Sequence, residues 1–580
     1  MRTVLALFVT VVACAAAPAA IAGVEYRVEV EAPEELAAPL RGGLALMRWR
    51  EDTDVTPEEL RRLADEAVGE ARALAAAEGY FSAEARVEID EGSTPWRVTV
   101  HLVPGERTRI VEVEVRVAGP AADDAEARER IADVRKGWSL PRGQPFRQED
   151  WDSAKRDAAR ALSRWRYAAA RVASSAARID PAAREARLSV VLDSGPPYRF
   201  GALSVVGTQR YAPVLVENMS PVRPGEDYDR EQLVVYQRRL AETGYFASVR
   251  AEIDVQAPDP AAAPLRVAVI EAPSKQFEAG ISYNTDVGAR LLLRYSDHDL
   301  AASAWRLRSS LSLDDQIQEV QLDLDSPPGE EGRFNNWFGR ASQKDIQNEL
   351  ARTFTLGVAH NFGTDVTPSA AILSWTLEEQ QAGTGPVDNR YAVYLGYRRT
   401  FRRTDEVIAP RSGYFGSIDL GGAPGALATQ DFLRVVGEGA MFFPVRRNGG
   451  VELRARAGRV VSDARTGIPT PFLFRTGGDQ TVRGYAFESL GVREGDAIVG
   501  GRRLFVASAE YTHWLGESWG LAGFVDGGNA WDSGEPFRAA LGYGLGLRLR
   551  TPIGPARLDI AYGEETEEYR LHVSIGYIFR

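Results

Sequence analysis

From Pro273 onward, the chain alternates apolar and polar residues in segments of about ten residues. In the last segment one face carries five apolar residues, namely Leu571, Val573, Ile575, Tyr577 and Phe579. A period of two places alternate side chains on opposite faces of a β-strand. A tilted strand of about 9–11 residues is long enough to span a membrane. The pattern therefore predicts a transmembrane β-barrel over residues 273–580, apolar toward lipid and polar toward its lumen.

A soluble β-sandwich with one buried face per sheet is the alternative interpretation of this alternation. The number of segments favours the barrel, because we count about sixteen and bacterial barrels have an even number of strands. The chain also ends on the aromatic-rich residues 577–579. Because backbone groups in lipid must all be paired, such a sheet is expected to close on itself.

The composition excludes several classes of protein. Charged residues make up 26% of the 580 residues and leave no apolar run long enough for a bundle of membrane helices. The net charge of −12 argues against a nucleic-acid partner, which needs a basic face. One cysteine and five scattered histidines do not suit a disulfide scaffold or a metal centre. We therefore expect no metal, no cofactor and no enzymatic activity.

Residues 1–22 have the layout of a secretory signal peptide. A short basic start precedes an apolar run and the small residues Ala20-Ile21-Ala22, which fit the A-x-A cleavage rule. A membrane anchor is a weaker interpretation, because the second half of the run is rich in alanine. Lipidation of Cys14 is a second alternative, since its flanks loosely resemble an acylation site. We predict cleavage after Ala22, which exports the protein and removes its only cysteine.

Between the leader and the barrel we predict three similar α/β units, with bounds at 24–103, 104–195 and 196–272. Each unit combines a strand, a helix, a tyrosine turn and two further strands. Thr56 as N-cap, Pro57 at the first helical position and Glu59 in a capping box predict the start of a helix in the first unit. Further helices are predicted around 151–162 and 231–242. The turn is Gly79-Tyr80-Phe81 in the first unit, Arg166-Tyr167-Ala168 in the second and Gly244-Tyr245-Phe246 in the third.

This order of elements and the Gly-Tyr-Phe turn resemble the polypeptide-transport-associated (POTRA) domain, a βααββ module. Three generic α/β domains are the alternative. A module of this kind presents a sheet edge to which an unfolded client can add as a strand. The predicted fold class is therefore three periplasmic α+β POTRA repeats followed by a transmembrane β-barrel of about 16 strands.

A long segment, roughly residues 470–501, interrupts the predicted strands, and its length indicates a functional loop. It contains Val482-Arg483-Gly484-Tyr485, which resembles the VRG(F/Y) motif of the BamA/TamA-type outer-membrane insertase superfamily. The flanking residues 477–479, 486–491 and 500–504 are similar to the TamA branch (translocation and assembly module subunit).

Other blocks extend the resemblance over nearly the whole mature chain. Phe524-Val525-Asp526 resembles the family's F-x-D motif, residues 551–559 its (S/T)P-x-GP…LD block, and Arg411-Ser412-Gly413 its R-x-G turn. Three POTRA-like units also match TamA, whereas BamA typically carries five and two-partner secretion transporters two. The chain departs from the family in its last aromatic residue, Phe579, which is penultimate, and in the turn of the second unit.

The resemblance implies that Arg483 folds back into the lumen and pairs with Asp526. Phe524 and Asp526 would both point inward if Val525 meets lipid. A shielded arginine–carboxylate pair could hold the loop in place. The alternative is that the two are separate lumen charges. The predicted loop–lumen lock comprises Val482, Arg483, Gly484, Tyr485, Phe524 and Asp526.

The resemblance also implies a lateral seam, where the first barrel strand pairs with the last. The predicted seam residues are Phe277, Tyr283, Leu571, Gly576 and Phe579. A weakly bonded seam could open sideways and pair with an incoming strand. Gly576 would weaken the last strand, although it could equally relieve crowding in the lumen.

The function implied is that of an outer-membrane assembly factor that inserts or translocates β-barrel clients such as autotransporters. The alternative is a two-partner secretion transporter that exports a partner protein through the barrel. Expected partners are unfolded outer-membrane proteins, the lipid bilayer and an inner-membrane-anchored TamB-like protein. The barrel is expected in the outer membrane and the preceding units in the periplasm.

Overall fold

The computed structural model describes residues 23–52, 54–364, 366–405, 410–446, 448–551 and 554–579. The predicted signal peptide, including Cys14, lies outside the described residues. The chain forms two compact units. One comprises the residues up to Phe200 together with 225–230 and 255–263, and the other comprises 201–224, 231–254 and 264–580.

Three small sheets precede the barrel, with strand orders β1-β3-β2, β4-β6-β5 and β7-β9-β8. In the first two sheets the middle strand runs parallel to the first strand and antiparallel to the other. The strands are β1 Tyr26–Glu31, β2 Glu84–Asp90, β3 Trp96–Val103, β4 Arg109–Ala118, β5 Arg171–Asp180, β6 Glu185–Asp193, β7 Phe200–Val206, β8 Phe246–Ile253 and β9 Ala263–Glu271.

Helices lie between the first and second strands of each sheet. They are α1 Glu34–Gly43, α2 Ala45–Arg48, α3 Pro57–Ala77, α4 Arg128–Lys136, α5 Gln148–Leu162, α6 Pro213–Glu217 and α7 Arg230–Glu242. The predicted start of α3 is confirmed, since the Glu59 amide donates to Thr56 Oγ1 at 3.2 Å. Helix α5 begins earlier than the predicted Trp151. Only Ile131 and Val134 of α4 are buried, so its helical period is weak in the sequence.

Sixteen antiparallel strands close into a barrel, which confirms the predicted fold class. They are β10 Lys275–Asn284, β11 Gly288–Leu300, β12 Trp305–Leu313, β13 Ile317–Asp325, β14 Phe334–Ile346, β15 Glu349–Gly363, β16 Pro368–Ala382, β17 Asp388–Thr404, β18 Gly413–Ala423, β19 Phe432–Val445, β20 Gly449–Val461, β23 Arg503–Trp514, β24 Trp519–Trp531, β25 Ala540–Thr551, β26 Gly554–Gly563 and β27 Glu568–Phe579. Between β20 and β23 lies a short hairpin of β21 Val492–Glu494 and β22 Ala497–Val499.

Alternation along the strands separates an apolar outer face from a polar inner face. On β24, Phe524 and Asp526 are buried on the inside, whereas Val525 between them is 56% exposed. Leu541, Tyr543 and Leu545 of β25 are likewise exposed on the outside. Such a surface is stable only where lipid covers it, because so wide an apolar band would be unfavourable in water.

Across the described segments of the chain, no helix combines the length and the apolar character that a membrane span requires.

The third sheet and the barrel belong to the same compact unit and are joined by specific contacts. The Tyr245 hydroxyl donates to the carbonyl oxygen of Ala304 at 2.6 Å. Arg306 Nη1 donates to the carbonyl oxygen of Thr243, and its guanidinium lies 5.4 Å from the centre of the Tyr245 ring. The Gly-Tyr-Phe turn of the third sheet therefore anchors to the β11–β12 end of the barrel.

Candidate functional site

The segment between β20 and β23, residues 462–502, folds into the barrel and is called the inner loop below. It begins earlier than the predicted residue 470 because β20 already ends at Val461. Its apolar side chains pack on the wall in one buried cluster. The Phe472 ring centre lies 4.9 Å from that of Tyr394 and 5.0 Å from that of Phe432. The burial of these aromatic rings holds the inner loop inside the lumen.

Two charged contacts tie the inner loop to strands β15 and β16. The Glu378 carboxylate accepts hydrogen bonds from the amide and the hydroxyl of Thr470, at 2.9 and 3.0 Å. Arg475 Nη1 lies 2.9 Å from Glu349 Oε2, and both side chains are buried. These contacts hold the first part of the loop against one side of the barrel.

The structure brings Arg483 and Asp526 into direct contact inside the barrel. Arg483 Nε donates to Asp526 Oδ2 at 2.6 Å, and Nη2 donates to Oδ1 at 2.9 Å. The backbone amide of Arg483 donates to the same carboxylate at 3.2 Å. Arg483 is 1% exposed and Asp526 is fully buried. A bidentate arginine–carboxylate pair of this kind fixes the orientation of both side chains.

Further buried charges on β23, β25 and β26 extend the pair into a network. Arg483 Nη1 donates to Glu510 at 2.8 Å and to Asp559 at 3.3 Å. Arg548 bridges the same two carboxylates, with its Nη2 2.8 Å from Glu510 and its Nη1 2.5 Å from Asp559. Ser508 Oγ donates to Asp526 at 2.6 Å. Three strands, β23, β24 and β26, therefore bind Arg483 directly, and Arg548 of β25 supports two of their carboxylates.

Two guanidinium groups face three carboxylates in this network, so every buried charge has a partner. Burial lowers the pKa of Arg483, but hydrogen bonds and charges from Asp526 and Glu510 outweigh it and hold the pKa above its ordinary value. The guanidinium also lies 3.4 Å from the centre of the Phe524 ring, a cation–π contact. Removal of Arg483 would leave uncompensated buried charge, which is strongly unfavourable.

The neighbours of Arg483 in the loop have separate contacts. Val482 is fully buried in the apolar cluster. Gly484 has a φ of 93° and lies so close to Gly563 that a Cβ atom would not fit. The Tyr485 hydroxyl donates to the carbonyl oxygen of Leu541 at 3.2 Å. All six predicted lock residues thus lie together in the structure.

The seam between β10 and β27 is short. Among the residues that the structure describes, it holds six residue pairs, from Ala279–Phe579 to Asn284–Ser574. Strands β26 and β27 share seven pairs, and β15 and β16 share fifteen. Of the predicted seam residues, Tyr283, Gly576 and Phe579 lie in this register.

Phe277 and Leu571 belong to the two seam strands but lie outside their described register. Phe277 pairs with Tyr295 of β11, and Leu571 pairs with Ile560 of β26. Alternation predicts which face a residue takes, but a register shift of two residues leaves the face unchanged. The sequence therefore could not place these two residues along the seam.

Five residues around the lock were not predicted as site residues: Ser508, Glu510, Arg548, Asp559 and His572. Each occupies a lumen-facing position on its strand. Asp559 belongs to a sequence block already noted for the family resemblance, which was the one available signal. The others became recognisable only through the strand register, which aligns Ser508 with Asp526 and Asp559 with His572.

Residues Gly516–Gly520 match the spacing of the G-x-S-x-G motif of serine hydrolases. That motif works on a strand-to-helix turn, whereas these residues run from the turn after β23 into the start of β24. The match is therefore one of spacing alone. Within the described part of the chain, no group of three His, Cys, Asp or Glu side chains is placed to hold a metal ion.

Comparison with known proteins identifies the family. The Omp85 superfamily domain matches residues 274–579. The outer membrane protein assembly factor BamA of Nitratidesulfovibrio vulgaris is 31% identical over 165 residues, 27% of this chain and 20% of that protein. The chain thus matches only about a fifth of the length of this curated relative.

Two solved structures are similar to this chain, and the first of them shares its fold. BamA from Haemophilus ducreyi lacking POTRA domains 1–3 gives a TM-score of 0.56 at 14% identity, covering 81% of this chain and 100% of that one. CdiB from Acinetobacter baumannii gives a TM-score of 0.46 at 14% identity, covering 82% and 91%.

The expected outer-membrane location and the expected BamA/TamA-type superfamily are confirmed, while the closer similarity to the TamA branch stays a prediction. The superfamily match covers more than half of the chain, and the structure supplies the closed barrel. This chain belongs to the Omp85 superfamily of outer-membrane β-barrel proteins.

Proposed function

We propose that this protein is an outer-membrane assembly factor that inserts or translocates β-barrel clients such as autotransporters. The observation that carries the proposal is the short register between β10 and β27. This interface has fewer paired residues than β26–β27 or β15–β16, so opening it breaks fewer backbone hydrogen bonds. An opened seam exposes N–H and C=O groups that must find partners in lipid.

An incoming client strand supplies those partners. The strand pairs with the edge of β10 or β27 and becomes the first strand of a new sheet, as in other cases of strand addition. The step exchanges hydrogen bonds and needs no nucleophile, metal or cofactor. We therefore assign no catalytic group to this chain.

The lock has a supporting role in this proposal. Arg483 and its carboxylate partners join the inner loop to β23, β24 and β26. This holds the C-terminal side of the barrel rigid, so that opening concentrates at the seam.

The partners follow from the same proposal. Unfolded outer-membrane proteins would first meet the periplasmic sheets, whose outer strands β2, β5 and β8 pair on one side only among the described strands. The resemblance to the TamA branch supports an inner-membrane-anchored TamB-like partner.

Export of a partner protein through the lumen is the alternative. It would require the inner loop to leave the barrel, since the loop contacts both β15–β16 and β23–β26. Displacement would break two buried networks of charge, which disfavours this route.

The test is site-specific photo-crosslinking in cells. A benzophenone amino acid replaces Phe277, which is 61% exposed on β10 and lies outside the described seam register. The matched control replaces Phe354, which is exposed on β15 between two long-paired neighbours. We expect newly made barrel proteins to be trapped at position 277 and not at 354. Equal trapping at both positions, or none at 277, would contradict the proposal.

A further inference from the structure

The described pairing between β10 and β27 ends at Asn284–Ser574. Beyond this pair β10 ends and residues 285–287 turn into β11, whereas β27 extends six residues further, back to Glu568. Two side chains fill this gap. Asp286 Oδ1 lies 3.5 Å from His572 Nδ1, and both residues are at least 95% buried in their side chains. The Val573 amide also donates to Thr285 Oγ1 at 3.3 Å.

Each member of this pair also binds the backbone of the inner loop. The Asp479 amide donates to Asp286 Oδ2 at 2.6 Å. The Gly484 amide donates to His572 Nε2 at 3.1 Å. His572 Nε2 therefore accepts, which leaves the proton of a neutral imidazole on Nδ1, facing Asp286. Among the described residues no hydrogen bond to Nδ1 is formed, and the Asp286 carboxylate lies 3.5 Å from it.

The two loop amides, five residues apart, lie on either side of Arg483 and bind opposite sides of the seam. Burial raises the pKa of Asp286, but His572 and the Asp479 amide outweigh it and keep the pKa below its ordinary value. Asp286 is thus a buried carboxylate that needs both partners. Within the described part of the chain, the ion pairs of Arg483 all go to strands on the C-terminal side of the seam.

We propose that Asp286 and His572 form a clip through which the inner loop restrains opening of the seam between β10 and β27. The clip rests on the proposed function in treating this seam as the interface that opens. Opening the barrel at β10 and β27 separates Asp286 from His572. It also forces the loop to release either the Asp479 or the Gly484 amide contact. Asp286 and His572 are positioning residues, since neither needs to touch a client.

The test is amide hydrogen–deuterium exchange of the purified full-length protein in lipid nanodiscs, without any client. The variants are Asp286→Asn, which removes the charge, His572→Phe, which removes the acceptor, and the double variant. Asp315→Asn is the matched control, because Asp315 is an exposed carboxylate in the turn of the next hairpin. Peptides of β10 and β27 report on the seam, and peptides of β15 and β16 report on the rest of the barrel.

We expect each single variant to speed exchange in both seam strands by about fivefold or more and to leave β15 and β16 unchanged. The double variant should exceed the single variants only slightly, because either change already breaks the clip. Asp315→Asn should match the wild-type protein. Wild-type exchange in the seam of both single variants, equal acceleration in β15 and β16, or fully additive effects would overturn the clip.

Client assembly is measured separately with the same variants in cells. Seam exchange that rises while assembly stays at the wild-type level would contradict the proposed function and leave the clip standing. Seam exchange that stays unchanged while crosslinking at position 277 succeeds would contradict the clip and leave the proposed function standing.

Discussion

Gly542 of β25 faces the carbonyl oxygen of Arg483 so closely that a Cβ atom at position 542 would overlap it. Gly544 and Gly546 continue this face, where added Cβ atoms would meet Phe524 and Asp559. Gly542 therefore lets the inner loop lie against the backbone of β25, while Gly544 and Gly546 leave room for Phe524 and Asp559.

Gly542→Ala is expected to displace the inner loop while the barrel stays folded. The added methyl group and the Arg483 carbonyl cannot occupy the same space. Trypsin added to intact cells should then cleave the loop faster, at residues such as the exposed Arg493. Gly523→Ala is the control, because its Cβ would meet only ordinary contacts on the outer face of β24. Equal protection of the loop in both variants would refute this prediction.

Arg483→Ala should leave the barrel in the outer membrane but impair client assembly. It removes the guanidinium that pairs with Asp526 and one of the two that pair with Glu510 and Asp559, at a cost of about 3–5 kcal/mol. Arg483→Lys should give a client yield between those of the wild-type protein and Arg483→Ala, because an ammonium group cannot make the bidentate contact with Asp526. Arg493→Ala, in the exposed hairpin of the same loop, is the control. The measurements are barrel migration on semi-native gels and the yield of assembled client. A normal client yield in Arg483→Ala would disprove the lock.

Tyr245→Phe should loosen the joint between the third sheet and the barrel. It removes the hydrogen bond to Ala304 at 2.6 Å, worth about 1 kcal/mol. Amide exchange in the turn after β11 should rise about fivefold. The control is Tyr391→Phe, since Tyr391 is exposed on the outer face of β17. No change in that turn would show that the hydroxyl does not contribute to the joint.

Glu271, at the end of β9, is expected to make the stability of the third sheet depend on pH in the acidic range. Burial raises its pKa, but hydrogen bonds from the amides of Gln209, Tyr211 and Arg210 outweigh it, so the pKa lies below its ordinary value. A lowered folded-state pKa stabilises the protein above the unfolded-state value of about 4.3, and this contribution is lost as pH falls through the folded-state pKa. Exchange of these three amides, corrected for its intrinsic pH dependence, should therefore rise below about pH 4.

Glu271→Gln is the control for that pH dependence. The glutamine cannot ionise, so amides 209–211 should be less protected at neutral pH and should lack the acid transition. An identical transition in Glu271→Gln would assign the pH dependence to another group.

The sequence could predict the barrel because a period of two is visible in single strands, as on β27 and β25. It could also predict Arg483 and Asp526, because the resemblance supplied both motifs. The rest of the network depends on register. Glu510, Arg548 and His572 reach Arg483 or its neighbours only once five strands are aligned.

Strand register also explains why two predicted seam residues lie outside the described pairing. Phe277 and Leu571 have the expected period, but period does not reveal where along β10 and β27 the pairing begins. The sequence does not predict helix α4, because a helix with only two buried residues, Ile131 and Val134, shows little apolar periodicity. Local patterns thus predicted elements and faces, while long-range alignment determined the site.

If clients assemble through an opened seam, an engineered disulfide between β10 and β27 should block their assembly. Tyr283 and Ile575 are register partners across the seam, and Leu356 and Trp375 are register partners between β15 and β16. Each pair is replaced by cysteines in a background without Cys14, the only natural cysteine. We expect the oxidised seam disulfide to stop client assembly, reductant to restore it, and the β15–β16 disulfide to have no effect. Wild-type client assembly with the seam fully crosslinked would show that the seam does not need to open.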